Sequence, residues 1–221
     1  MGKQKKIVTT LHQSTKRNYI ERMKNNKVKC MSIAKKYSKN YWDGNRKYGY
    51  GGYKFIPGRW SGVAKKLISI YKLNNTSKVL DVGCGKGYLL HEMKKILPKL
   101  TITGFDFSNY ALNNSHRSVK KFLFNHKAQK KYPFKKNHFN LVISLGVIHN
   151  LKLDEVYFML KEMQRVGKKS YLMTESYQND QELFNLQCWA LTCKTFLPVT
   201  DWKWIFKKAD FNGDFEFIFF K

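Results

Sequence analysis

Three glycines at alternating positions, Gly83, Gly85 and Gly87, separate an apolar run from a helical one, and this junction limits the chain to few architectures. The run KVLDVGC at 78–84 reads as a strand buried in a sheet, and Tyr88–Leu97 reads as a helix ended by Pro98. Glycines between a buried strand and a helix allow a tight turn and let a ligand approach the backbone closely. The spacing is GxGxG, not the GxGxxG of dinucleotide enzymes, and Asp81 stands just before it at the strand end.

The same alternation continues to the end of the chain. TITGFDF (101–107) predicts a second strand, and Ser108 is placed to cap a helix running to about Lys121. A short third strand is expected near Phe122–Asn125, then FNLVISLG (139–146) as a strand and Asp154–Val166 as a helix. KSYLMTES (169–176), a helix at Asp180–Cys193, a short helix near Asp201–Ala209 and FEFIFF (215–220) complete the series. Strands alternating with helices imply an α/β fold, a Rossmann-like, doubly wound and mostly parallel sheet. The terminal strand is expected to be the antiparallel one that such sheets often carry.

Ahead of this core lie two different zones. In residues 1–40, Tyr19, Ile20, Met23, Met31, Ala34 and Tyr37 recur at helical spacing, which predicts one or two amphipathic helices in a basic extension. Residues 41–60, YWDGNRKYGYGGYKFIPGRW, are too rich in glycine for a regular helix. A helix over roughly Ser61–Leu73 leads into the core, so the expected division is an extension with an aromatic lid over 1–61 and a catalytic domain over 62–221.

VLDVGCGKGYLL, followed by GFDFS, resembles the first two motifs of the class I S-adenosylmethionine (SAM)-dependent methyltransferase family. FNLVISLGVIHNL and LKEMQRVGKKSYLMTES are similar to its later motifs, and the branch most resembled is the type 11-like one that acts on small molecules. The resemblance spans about 62–221. It implies that Asp81, Gly83, Cys84, Gly85 and Gly87 shape a cradle for SAM, and that Asp106, with Phe107 beside it, accepts hydrogen bonds from the ribose hydroxyls. Backbone near Ser144, Leu145 and Gly146 is implied at the sulfonium site. The family often has an acid near the end of strand three for the adenine amino group. Residues 107–153 contain no acid, which leaves Asn125, His126, Gln129 or a backbone group for that contact. Asn140 stands where the family often shows Asp.

For methyl transfer the protein must position the acceptor and, for a hydroxyl, remove its proton. His149, just past the fourth strand, and Glu175, at the end of the fifth, are the candidate bases. The aromatic segment is expected to fold over the cofactor site and contact the acceptor through Tyr41, Trp42, Asp43, Arg46, Tyr48, Tyr50, Tyr53 and Arg59, with the arginines gripping phosphate or carboxylate.

Charge separates the possible partners. The formal net charge is +27, from 36 Lys and 6 Arg against 15 acids. Residues 1–77 carry 19 basic and 2 acidic residues, and 107–153 carry 9 and none, so the excess is segmental and can attract anions. Part of the Lys and Asn richness fits an AT-rich genome. The favoured partner is a small anionic acceptor, nucleotide-activated, phosphorylated or a sugar, with surface-polysaccharide decoration as the expected setting. An RNA methyltransferase is the second reading, since basic charge with interleaved aromatics suits phosphate contact and base stacking. A non-catalytic scaffold is the third, and the intact glycine turn argues against it. Cys30, Cys84, Cys188 and Cys193 show no CxxC spacing, so reduced thiols and no metal are expected. No stretch approaches the roughly 18 apolar residues of a membrane span, and the basic start lacks an apolar signal region, so a cytoplasmic protein is expected.

Overall fold

A computed structural model describes residues 1–50 and 53–221; Gly51 and Gly52 of the aromatic segment lie outside the described residues. Six strands, β1 (Lys78–Val82), β2 (Thr101–Asp106), β3 (Leu123–Asn125), β4 (Leu141–Leu145), β5 (Ser170–Glu175) and β6 (Asp214–Ile218), form one sheet in the order β3-β2-β1-β4-β5-β6. All five pairings are parallel. The order turns back between β1 and β4, and the crevice at the carboxyl ends of these strands is where such sheets bind ligands.

Four short helices precede the sheet: α1 (Thr9–Gln13), α2 (Tyr19–Lys24), α3 (Lys27–Ala34) and α4 (Lys39–Trp42). They are followed by α5 (Ser61–Ile70), α6 (Tyr88–Ile96), α7 (Asn109–Asn113), α8 (Leu153–Val166), α9 (Asp180–Trp189) and α10 (Val199–Lys208). Period-two alternation sends Val79, Leu141 and Ile143 to one face of the sheet, against Val63, Ala64 and Leu67 of α5 and Leu90 and Met93 of α6. Leu80, Val82, Val142 and Leu172 go to the other face, against Met159 and Met163 of α8 and Trp202 and Phe206 of α10. The sheet is therefore covered on both sides, as a parallel sheet must be.

Three expectations are corrected. The last strand is parallel, not antiparallel, because α10 carries the chain across the sheet face between β5 and β6, and a crossover of that kind returns the strand in the same direction. Both faces of β6 are buried, Phe215 and Phe217 on one side and Glu216 and Ile218 on the other. The helix capped by Ser108 ends at Asn113, well short of Lys121. There the Asn114 amide donates to the Tyr110 carbonyl and the Ser115 hydroxyl to the Leu112 carbonyl, local bonds that compete with helix continuation. The basic extension is broken into short helices, with Asn18 capping α2 and Asn26, at φ 43°, capping α3.

The free edge of β6 is covered by the N-terminus, where Gln4 bridges Phe215 in parallel and the Lys5 amide donates to the Phe215 carbonyl (2.8 Å). Glu216, 1% exposed, fastens the next residues of the chain. Its carboxylate accepts from the amides of Ile7 (2.6 Å), Val8 (3.0 Å) and Thr9 (2.6 Å) and from the Tyr171 hydroxyl. Removing it leaves buried donors unsatisfied at about 1–3 kcal/mol each. A Glu216→Ala variant is expected to lose at least about 3 kcal/mol, read as a fall of roughly 6–12 °C in melting temperature. A melt within 2 °C of the parent would show that the carboxylate contributes little. No helix among the described residues is long and apolar enough to cross a membrane.

Candidate active site

The turn after β1 is drawn toward β2, because the amides of Gly83 and Cys84 both donate to the Phe105 carbonyl (2.8 and 3.0 Å). Gly83 sits at φ 76° and Gly85 at φ 53°, left-handed values that favour glycine. A Cβ on Gly83 would lie 2.3 Å from Val147 Cγ2, and one on Gly85 would lie 2.9 Å from the Trp42 ring. Gly83, Cys84 and Gly85 line a cavity of about 990 Å³ over the crevice. This is at the upper end of single-ligand pockets, which run to about 1,000 Å³. Gly87 does not line it; it caps α6 and faces Val119 and Leu123.

Beside the glycine turn, two carboxylates open on this cavity. Asp106, ending β2, accepts from the amides of Gly85 (3.0 Å) and Ser108 (2.8 Å), so it organises both flanking turns. Asp81 has no hydrogen-bond or ion-pair partner among the described residues. Burial, and then the nearby Asp106 charge, push its carboxyl up to about 7. A raised carboxyl means that the folded chain holds its proton where the unfolded chain has lost it. The contribution to stability therefore falls as pH rises from about 4 to about 7. A cationic ligand reverses this by favouring the ionised form. Affinity for S-adenosylhomocysteine, whose ammonium group is cationic, is expected to rise about tenfold from pH 6 to pH 8 if only ionised Asp81 binds it. Asp81→Asn should flatten this dependence in calorimetric titrations, and an unchanged slope would remove Asp81 from the ligand's surroundings.

Phe107, 46% exposed, stands at the cavity wall against Tyr37, with ring centroids 4.7 Å apart. His126, Lys127, Ala128 and Gln129 line the cavity near it. The Asn125 amide is engaged by the Phe107 carbonyl (2.9 Å) and Asn109 (2.8 Å), and that of Gln129 by Glu155 (3.1 Å), so neither amide is free as placed. On the β4 side Leu145 and Gly146 line the cavity. Ser144 does not, because its hydroxyl donates to the Val82 carbonyl (2.9 Å) and ties β4 to β1.

From the aromatic segment, Tyr41, Trp42, Arg46, Tyr50, Tyr53 and Arg59 reach the cavity wall. Trp42 lies against Gly85 and donates from Nε1 to the Ser108 hydroxyl (2.9 Å) and the Tyr37 carbonyl (3.1 Å). The Tyr41 and Tyr53 hydroxyls are 2.8 Å apart, and burial pushes both phenols up. Asp43 is not in the wall. It pairs with Lys86 (2.5 Å) and accepts from the Tyr110 hydroxyl (2.8 Å), which fastens the segment to the glycine turn and α7. Tyr48 also lies outside the wall, packed with the aromatic cluster around Tyr41.

His149 and Glu175 are brought together at the opposite side of the crevice. Glu175 lines the cavity and its Oε2 is buried without a hydrogen bond; His149 Nε2 is 3.5 Å away. His149 Nδ1 is turned to the Glu175 amide and the Thr174 hydroxyl, both at 3.4 Å. Burial lowers the His149 pKa, against the raising effect of Glu175, so the ring is neutral at pH 7. With Nδ1 accepting from an amide, the proton is assigned to Nε2, which faces Glu175. His12, Arg17, Tyr37, Trp189, Thr192 and Lys194 also line the cavity, and sequence reasoning missed them as site residues. They come from scattered points of the chain with no shared spacing.

Comparison with known proteins bears on the family and the fold. A family profile described as a methyltransferase domain matches residues 73–210, more than half of the 221 residues. The ribosomal RNA small subunit methyltransferase C of Buchnera aphidicola is 32% identical over 111 residues, covering 49% of this chain and 32% of that protein. The ubiquinone biosynthesis O-methyltransferase of Pelagibacter ubique is 24% identical over 147 residues, covering 62% of this chain and 59% of that one. The chain thus spans less than two thirds of either relative. The YcgJ protein of Bacillus subtilis superposes with a TM-score of 0.54 at 16% identity, covering 66% of both chains, a likeness of fold alone. The glycine turn, the acid ending β2 and these matches give one conclusion: the chain belongs to the class I SAM-dependent methyltransferase family.

Proposed function

We propose that this protein transfers the methyl group of SAM to a small anionic acceptor bound in the cavity over β1, β4 and β5. The observation that carries the reading is the pair Asp81 and Asp106. Two buried carboxylates without a cationic partner converge on a glycine turn that has no room for a side chain. Buried acids ordinarily have partners, and a ligand with an ammonium group and ribose hydroxyls supplies them. SAM brings an activated methyl on a sulfonium, so the chemistry is an in-line displacement.

The chain's own groups then divide the work. Asp106 accepts from the ribose hydroxyls, and Asp81 faces the cationic portion. Phe107 and the stretch His126–Gln129 flank the adenine. Trp42 and the tyrosines beside it exclude water. Glu175 takes the proton of an acceptor hydroxyl, with His149 Nε2 3.5 Å from its carboxylate. The Lys86–Asp43 pair keeps the aromatic segment closed over the turn.

The test uses tritiated-methyl SAM with the purified protein and separate pools of nucleotide sugars, phosphorylated metabolites, RNA and protein. Label entering a small-molecule pool supports the reading. Label entering RNA alone would favour the RNA reading, which the acid-free basic stretch 107–153 keeps in view. Failure to bind S-adenosylhomocysteine by calorimetry would overturn both.

A further inference from the structure

One wall of the cavity carries positive charge without an ion-paired acid among the described residues. The guanidiniums of Arg17, Arg22 and Arg46 surround a single buried indole, Trp189, with Cζ atoms 5.4, 4.7 and 5.4 Å from the ring centroid. None of the three forms an ion pair with a carboxylate among the described residues. Arg22 is satisfied by backbone: it donates to the carbonyls of Arg46 (2.7 Å), Gly49 (2.7 Å) and Trp189 (3.3 Å). Arg17 is not. Its Nη1 donates to the carbonyls of Thr15 (2.9 Å) and His12 (3.2 Å), while its Nε is buried with no partner.

His12 adds a second donor. Its Nδ1 lies 3.1 Å from Arg17 Nη2 and accepts from it, which places the ring proton on Nε2. That nitrogen is also buried, with the Phe219 backbone beside it. Arg46 reaches the same wall from the exposed rim and spends one bond on the Lys16 carbonyl (3.2 Å). Glu175 lies close enough for its charge to act on Arg17, yet the two do not pair.

Half-buried guanidiniums are normally matched by an acid, and buried N–H groups by an acceptor. Here two stacked guanidiniums without an acid partner line one cavity with His12, a donor set suited to a carboxylate or phosphate. We propose that Arg17 and Arg46, stacked on Trp189 and assisted by His12, bind the anionic group of the methyl acceptor and set its distance from Glu175. The proposal rests on the methyltransferase reading and names the part of the acceptor that this chain selects. Acceptors with a nucleophilic hydroxyl and an anion a small molecule's length apart are taken, and neutral analogues are refused.

The test is calorimetry on the full-length protein saturated with S-adenosylhomocysteine, at fixed ionic strength, with benzoate, phenyl phosphate and phenol as probes. At least one anion is expected to bind, and phenol not to bind measurably. Preference between the two anions identifies a carboxylate or a phosphate acceptor. Arg17→Gln and Arg46→Gln are each expected to weaken the anion about tenfold or more, with Arg46→Lys intermediate, and to leave S-adenosylhomocysteine affinity within about twofold. Arg46 is exposed, so its variant tests the proposal even if Arg17→Gln fails to fold. Anion binding indifferent to both arginines, or absent in a parent that still binds S-adenosylhomocysteine, would overturn the proposal alone. A parent that does not bind S-adenosylhomocysteine would overturn the methyltransferase reading and the proposal with it.

Discussion

A Glu175→Gln variant is expected to bind S-adenosylhomocysteine as the parent does and to transfer methyl groups about 10²–10⁴ times more slowly, the usual worth of a positioned general base. The substitution keeps the side-chain shape and replaces the carboxylate with an amide that cannot accept a proton at neutral pH. His149 is the rival base, and the geometry places it second. Its lone pair at Nδ1 is turned to the Glu175 amide, and burial lowers its basicity. His149→Asn should therefore slow transfer about tenfold or less. A Glu175→Gln enzyme that turns over within threefold of the parent would show that Glu175 does not remove the proton.

The parts of this site that are legible in the sequence are those written in consecutive residues. The unit β1–glycine turn–α6, and Asp106 with the Ser108 cap, rest on local rules: apolar strand, left-handed glycine, hydroxyl accepting from an amide two or three residues on. The direction of β6 is not local. FEFIFF specifies a strand, and only the position of α10 between β5 and β6 decides which way it runs. The arginine wall is the least legible. Arg17, Arg46, Trp189 and His12 meet through tertiary packing of α1, the loop before α2, the aromatic segment and α9, and no periodicity links them. The aromatic segment lies between these cases. Its glycines and tyrosines mark it as irregular and exposed to recognition. That Asp43 would serve as an anchor to Lys86, leaving Trp42 to meet the turn, depends on a partner 43 positions away.

Replacing Asp106 tests the cofactor site most sharply, because the two roles of its carboxylate predict opposite signs. As ribose acceptor it would make two charge-assisted hydrogen bonds worth about 1.5–3 kcal/mol each, so Asp106→Ala should weaken S-adenosylhomocysteine by about 10²–10⁴-fold. As a buried acid it is costly to the free protein: burial pushes its carboxyl upward, and only the amides of Ser108, Gly85 and Phe107 draw it back. Removing it forfeits hydrogen bonds of about 1 kcal/mol each and also relieves the charge beside Asp81. The two effects offset in part, so the melting temperature should fall by less than in Glu216→Ala while affinity collapses. Asp106→Asn supplies the internal control. With the neighbouring charge gone, Asp81 loses the second of the two causes that raise it, so the pH midpoint of the residual S-adenosylhomocysteine binding should move below about 7. A fall in melting temperature as large as that of Glu216→Ala would instead mark Asp106 as a structural fastener of the two turns. A midpoint that does not move would separate Asp81 and Asp106 electrostatically and leave the shared cationic ligand without support.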